Sequence, residues 1–292
     1  MQLFFIVGAQ KSGTTWLQKS LNSIDGIHCL GEGHFIDKLL MPVAQTRHEY
    51  NQMMQIVQER VYEGQGFYGS VPDQEFLGLM RSWILTIMLR TANAPRESIL
   101  ALGDKTPANS FHIPTLKQLF PRSRFLHILR DGRDVAISAF RHRERILSET
   151  QEASLDLKTE TPQLLAKWAG FTRAVRKAEK AGIPIHTVRY EAMLENGVAS
   201  LRSCVDHLLP DNSISDDQLQ TAVDAKASRA SAADATQAKS TTTPSCAAAR
   251  PAAGATNWAR MPPNASTPKT GNCWSSWATP LRSNQPSSGV TA

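Results

Sequence analysis

Near the start of the chain, Gly8, Lys11, Ser12, Gly13, Thr14, Thr15 and Trp16 follow directly on the apolar run Leu3 to Val7. A buried strand that feeds a glycine loop opening a helix aims several backbone N–H groups, and the positive end of the helix, at one point. That is the chemistry of phosphate binding. The position of the lysine narrows which anion is meant. A nucleoside-triphosphatase loop reads G-x-x-x-x-G-K-[ST], with Lys directly after the second Gly and a hydroxyl on Mg²⁺. Here Gly8 and Gly13 keep the four-residue gap, but position 14 is Thr and the lysine lies inside the loop as Lys11. The loop is therefore an anion site of another kind.

A second segment has matching logic. The run Arg124 to Leu129 ends in Arg130, a turn follows through Asp131 and Gly132, and Ser138 lies one turn into the helical pattern beyond. A strand that ends in Arg before a turn and a helix puts Arg130 at the carboxyl edge of a parallel sheet, where open α/β sheets bind ligands. Three shorter segments complete the set: Gly31-Glu32-Gly33-His34-Phe35, Gly103-Asp104-Lys105-Thr106-Pro107 and Val188-Arg189-Tyr190-Glu191. Taken singly, they also fit a packed histidine, a snorkelling lysine and a core tyrosine.

Together these residues resemble sulfotransferases that use 3′-phosphoadenosine 5′-phosphosulfate (PAPS). Lys11 to Leu17 resembles the 5′-phosphosulfate loop, and Arg130 with Ser138 resembles the pair that holds the 3′-phosphate in that family. Glu32 to Phe35 is similar to the segment whose glutamate is the proposed catalytic base. Lys105 falls in a D/E-K-T-P turn, and Tyr190 in a segment whose tyrosine lies near the adenine. The resemblance spans roughly Leu3 to Leu208. It implies Glu32, Lys11, His34 and Lys105 as catalytic residues, and Lys11, Ser12, Gly13, Thr14, Thr15, Trp16, Arg130, Ser138 and Tyr190 as contacts of PAPS or of its product PAP. It also implies a P-loop-like sulfotransferase fold.

The chemistry agrees with these residue types. An acceptor hydroxyl must lose its proton as it attacks sulfur, which suits a carboxylate base. Charge growing on the leaving phosphate suits fixed cations and N–H donors. A sulfuryl group carries less charge than a γ-phosphoryl group, so lysine can replace the Mg²⁺ of phosphoryl transfer. No metal site is expected: Cys29, Cys204, Cys246 and Cys273 are widely spaced, with no C-x-x-C pair. Cys29 and Cys204 read as buried free thiols. The expected acceptor is a hydroxyl or amine of a small molecule, lipid or carbohydrate. A protein that binds PAP or PAPS without turnover is the alternative, and a P-loop kinase is a weaker one.

These residues need an α/β scaffold, a three-layer sandwich around a central parallel sheet. Candidate strands are Leu3 to Val7, Ile99 to Leu102, Arg124 to Leu129 and Ile185 to Val188, and candidate helices are Gln74 to Asn93, Thr161 to Ala181 and Ala192 to Leu209. His142 to Thr161 is polar and lacks a clear period, which suggests a loop over the acceptor site or a surface insertion. No signal peptide precedes the first strand and no apolar run approaches the roughly 20 residues of a membrane span, so a cytoplasmic protein is expected.

Composition changes at about residue 226. Residues 1–225 read as the sulfotransferase domain, whereas 226–292 hold only Leu281 and Val290 of the Leu, Ile, Val and Phe types and suggest a disordered tail. The tail carries seven Lys and Arg against Asp234, which accounts for the whole net charge of +6. The balanced domain gives no sign of a nucleic-acid partner. Reading the third base of each codon with the first two of the next forces Leu-Leu, then Val or Glu, and later Gly across Asn272 to Ala278, and it permits LLVELGY. The same frame permits FLRRG across Pro244 to Ala249. Those strings resemble the last helix and the R-[KR]-G phosphate loop of the family, which points to a frameshift near codons 226 to 232.

Overall fold

The computed structural model describes residues 1–64, 68–150 and 156–225. The expectations for 226–292, including the frameshift, lie outside the described residues.

Five strands form one all-parallel sheet: β1 (Gln2–Val7), β2 (Ile27–Leu30), β3 (Ala101–Lys105), β4 (Arg124–Leu129) and β5 (Ile185–Arg189), in the order β2-β3-β1-β4-β5. Parallel neighbours cannot be joined by hairpins, so helices must carry the crossovers and cover both faces of the sheet. β1 shows why its apolar run is continuous. Successive side chains point to opposite faces, so Phe4 and Ile6 pack into one core with Leu17, Leu21, Leu201 and Val205. Phe5 and Val7 pack into the other with Phe76, Met80, Ile84 and Leu116. The helices behind these cores are α1 (Thr14–Leu21) and α8 (Gly197–Leu208) on the first face, and α3 (Asp73–Ala92) and α4 (Ile113–Leu119) on the second.

The parallel three-layer architecture is as the sequence implies, with local differences. β2 has only four residues and no alternating pattern to reveal it. It takes the sheet edge beside β3, and the Asn22 amide donates to the Cys29 carbonyl at 2.8 Å, covering part of the open edge. The β3 strand begins at Ala101 rather than Ile99 and extends to Lys105. The expected helix over Ala192 to Leu209 is two helices, α7 (Tyr190–Glu195) and α8, because Asn196 leaves helical geometry and its side chain caps α8 by accepting from Ala199 N at 3.0 Å.

The described part of His142 to Thr161 is mostly helix, contrary to the loop expectation, and 151–155 lie outside the described residues. The helix α5 (Gly132–Thr150) takes in its first part, and α6 (Leu157–Lys180) starts at the N-cap Asp156, whose carboxylate accepts from Thr159 N at 3.0 Å. Arg143 on α5 pairs with Glu160 on α6, so these two polar residues lie on facing helix surfaces. Ahead of α3, α2 (Met41–Arg60) has no buried residue and follows a π-helical segment, Phe35–Leu40. A further helical stretch covers 216–225.

Candidate active site

Each of the five strands ends at a singled-out residue. Glu32 and His34 follow β2, Lys105 ends β3, the Lys11 to Thr15 loop follows β1, Arg130 follows β4, and Tyr190 follows β5. Since the strands lie in the order β2-β3-β1-β4-β5, these residues form one row along the carboxyl edge of the sheet.

The centre of the row is the β1–α1 loop. Gly8 has φ 142, and a Cβ there would stand 2.6 Å from the Ile128 carbonyl, so only glycine lets β1 turn this tightly beside β4. Its N–H donates to Ser110 Oγ at 2.9 Å and is thereby taken. The first helical bond of α1 runs from Leu17 N to the Gly13 carbonyl at 3.1 Å. Gly13 provides no side-chain cap. The first-turn N–H groups of α1 therefore face the loop without i−4 partners. Ser12 is buried, and its Oγ has no hydrogen-bond partner. Lys11 holds a left-handed φ of 68, and its pKa is lowered, first by burial and then by the charge of Arg145. A lysine in such strained backbone is held there by its surroundings.

On one side of the loop lie Arg130 and Tyr190. The Arg130 guanidinium donates from Nη1 to the Lys11 carbonyl at 3.2 Å and lies under the Tyr190 ring, 4.5 Å from its centroid. Arg130 Nε is buried without a partner. Tyr190 also covers Gly13, where a Cβ would meet Tyr190 Cδ2 at 2.3 Å. Ser138 lines a cleft of about 410 Å³ with Arg130, Asp134, Ile137 and Arg141.

On the other side lie Lys105, Glu32 and His34. Lys105 is buried, and its Nζ donates to Glu32 Oε1 at 2.7 Å. His34 Nε2 stands 3.5 Å from Glu32 Oε2. Beneath them Asp104 is fully buried and accepts from Gly33 N at 2.8 Å, Thr106 Oγ1 at 2.8 Å and Asn109 Nδ2 at 2.9 Å. Burial raises its pKa to about 6 despite these three donors. Asp104 thus pins the turn that carries Glu32 and His34 to the end of β3. Cys29 and Cys204 are buried free thiols, each raised in pKa by burial, Cys204 to about 12.

The family model described as the sulfotransferase family matches residues 4–209, which takes in every strand and every residue of this row. The chain belongs to the sulfotransferase family. A Caenorhabditis briggsae protein carrying the inferred name protein-tyrosine sulfotransferase is 27% identical over 135 residues, 46% of this chain and 41% of that relative. The match thus spans less than half the length of the curated relative. Among solved structures, a sulfotransferase from Alicyclobacillus acidocaldarius is similar at a TM-score of 0.45 and 19% identity, covering 74% of this chain and 83% of that one. A mouse sulfotransferase complexed with PAP is similar at a TM-score of 0.43 and 15% identity, covering 77% of this chain and 64% of that one.

Two residues of this site, Trp168 and Asp37, lie outside the segments singled out in the sequence. Trp168 on α6 donates from Nε1 to the Arg130 carbonyl at 3.1 Å, and its ring lies where a Cβ on Gly132 would stand, 2.8 Å away. Glu191, the last residue of the Val188 to Glu191 segment, accepts from Asp131 N at 2.8 Å through Oε1 and fastens the β4–α5 turn to the end of β5. Asp37 accepts from His34 and is three residues beyond it, a spacing that places both on one side of a helical turn. Only that last relation could have been read from the sequence. Among the described residues, no helix is long and apolar enough to cross a membrane.

Proposed function

We propose that the protein transfers a sulfuryl group from PAPS to a hydroxyl or amine of a small-molecule, lipid or carbohydrate acceptor and releases PAP. The observation that carries this reading is the order of groups along the sheet edge. Glu32 and His34 stand at one end, Lys105 and Lys11 next, the N-terminus of α1 in the middle, and Arg130 and Tyr190 at the far end. That order suits, in turn, an acceptor proton, a sulfuryl group, a 5′-phosphate, and a 3′-phosphate with its adenine.

The residues present fit such a nucleotide. Ser12 Oγ and Arg130 Nε are buried polar atoms without partners, a state that costs about 1–3 kcal/mol per group unless something pairs with them. Ser12 belongs to the loop that precedes α1, and Arg130 reaches the same loop through its hydrogen bond to the Lys11 carbonyl. PAPS supplies an activated sulfuryl group on a phosphate leaving group. Lys11 and the N–H groups of Gly13, Thr14 and Thr15 would hold the 5′-phosphate and the charge that builds on it, with Ser12 and Trp16 shaping the loop. Arg130 and Ser138 would hold the 3′-phosphate, and Tyr190 would flank the base while keeping Arg130 in place. Glu32 would take the acceptor proton, balanced by Lys105 and assisted by His34.

The experiment is incubation of the full chain with sulfur-labelled PAPS and a panel of phenols, sugars, lipids and amines, with and without EDTA. Label on an acceptor, unaffected by EDTA, is expected. Mg²⁺-dependent turnover of ATP with none of PAPS would replace this reading by that of a kinase or ATPase.

A further inference from the structure

We propose that Asp37 is a positioning residue that holds His34 as the Nδ1–H tautomer, so that His34 Nε2 and Glu32 Oε2 form a two-acceptor trap for the proton leaving the acceptor. The inference rests on the sulfotransferase reading and concerns the same site. Both carboxylate oxygens of Asp37 lie within reach of His34 Nδ1, at 3.2 and 3.1 Å. A carboxylate only accepts, so Nδ1 carries the hydrogen, and in that tautomer the lone pair of the ring is presented at Nε2. That nitrogen faces Glu32 Oε2 at 3.5 Å, while Glu32 Oε1 is committed to Lys105. Two acceptors facing each other at this distance leave a place that an O–H or N–H of the acceptor fills.

The local backbone holds this arrangement. His34 has a left-handed φ of 48, a strained value for a residue with a side chain, and it caps the π-helical segment Phe35–Leu40. Segments of that kind recur at functional sites. Phe35, Ile36 and Leu40 are buried and fix the segment, Lys38 N donates to the His34 carbonyl at 3.0 Å, and His34 N donates to Thr106 Oγ1 at 3.4 Å. His112 also faces Asp37. Burial lowers its pKa, and the charge of Asp37 acts against that shift. In the transfer step a bond forms from the acceptor oxygen or nitrogen to sulfur. The sulfur–oxygen bond to the 5′-phosphate breaks with its electron pair on that oxygen, and the acceptor proton stays with Glu32 and His34 until it passes to water.

The test combines nitrogen NMR of the His34 ring in the ligand-free full chain with kinetics. The unmodified protein is expected to carry a hydrogen on His34 Nδ1 and none on Nε2. Asp37→Ala is expected to move it to Nε2–H, which donates to Glu32. It should also lower kcat about 10- to 100-fold, part of the usual 10²–10⁴ of acid–base catalysis, with acceptor KM and PAP affinity unchanged. Asp37→Glu should restore the tautomer and much of the rate. An Nε2–H tautomer or a doubly protonated ring in the unmodified chain, or a tautomer indifferent to Asp37→Ala, overturns the proposal. Failure of the unmodified chain to bind PAP would instead count against the sulfotransferase reading, leaving the tautomer result to stand by itself.

Discussion

Lys105 Nζ lies 2.7 Å from Glu32 Oε1 across 73 residues of sequence, because their strands are neighbours at the edge of the sheet. The carboxylate proposed as base is thereby charge-balanced by a buried cation, and one oxygen is left for the acceptor. Replacing Glu32 by Gln keeps the shape and removes the basicity. PAP affinity should hold within about twofold while kcat falls by about 10²–10⁴. Titration with PAP beside steady-state kinetics checks this, and loss of binding without a specific loss in kcat would make Glu32 a structural carboxylate.

Gly13 and Tyr190 give a prediction about the loop. Gly13 has φ 97, and a Cβ on it would stand 2.3 Å from the Tyr190 ring that covers Arg130. Gly13→Ala should therefore lower stability by about 1–3 kcal/mol and weaken PAP binding at the same time. Combining it with Tyr190→Ala should relieve the clash but retain the backbone strain, so only part of the stability returns. Full recovery in a denaturant titration would mean that the loop conformation costs nothing.

Acid should destabilise the fold. His127 and His207 are each depressed to about 4, both chiefly by burial, with Arg176 adding to the first and His186 and Arg124 to the second. Below the ordinary value near 6.5 the unfolded chain takes up these protons and the fold does not. Stability from both groups is present above pH 6.5 and is lost as pH falls toward about 4. Asp104, raised to about 6 by burial, acts in the opposite sense between about pH 3.8 and 6. Two histidines outweigh one aspartate, so Tm should fall from pH 6.5 to 4, and His207→Leu should flatten the fall. A Tm that is level or rises on acidification contradicts this assignment.

Much of this architecture is legible in the sequence where a physical constraint is local. A continuous apolar run marked β1 and β4, and the four-residue gap between Gly8 and Gly13 with Lys11 inside it marked the loop. What was hidden depends on partners far along the chain. β2 is four residues long with no period of its own, Trp168 looks like any apolar helix residue until its indole meets Arg130, and Asp104 gains its meaning from Gly33, Thr106 and Asn109. The polar stretch from His142 onward misled because a helix whose exposed face is matched by another helix needs little apolar periodicity.

The codon reading of 226–292 gives a prediction at the level of the gene. Resequencing should find an inserted or deleted base near codons 226 to 232, and a protein translated in the alternative frame should melt higher and bind PAP more tightly than the encoded one. A read that confirms the encoded frame throughout removes the proposal.

The most direct test of the central claim is calorimetric titration of the full chain with PAP beside AMP. The two ligands differ in the 3′-phosphate, and the proposed holders of that group, Arg130 and Ser138, line one cleft. A hydrogen bond to a charged group contributes about 1.5–3 kcal/mol, so PAP should bind roughly 10- to 150-fold more tightly than AMP, and Arg130→Ala should erase most of that difference. Equal affinity for the two nucleotides in the unmodified chain would contradict the account.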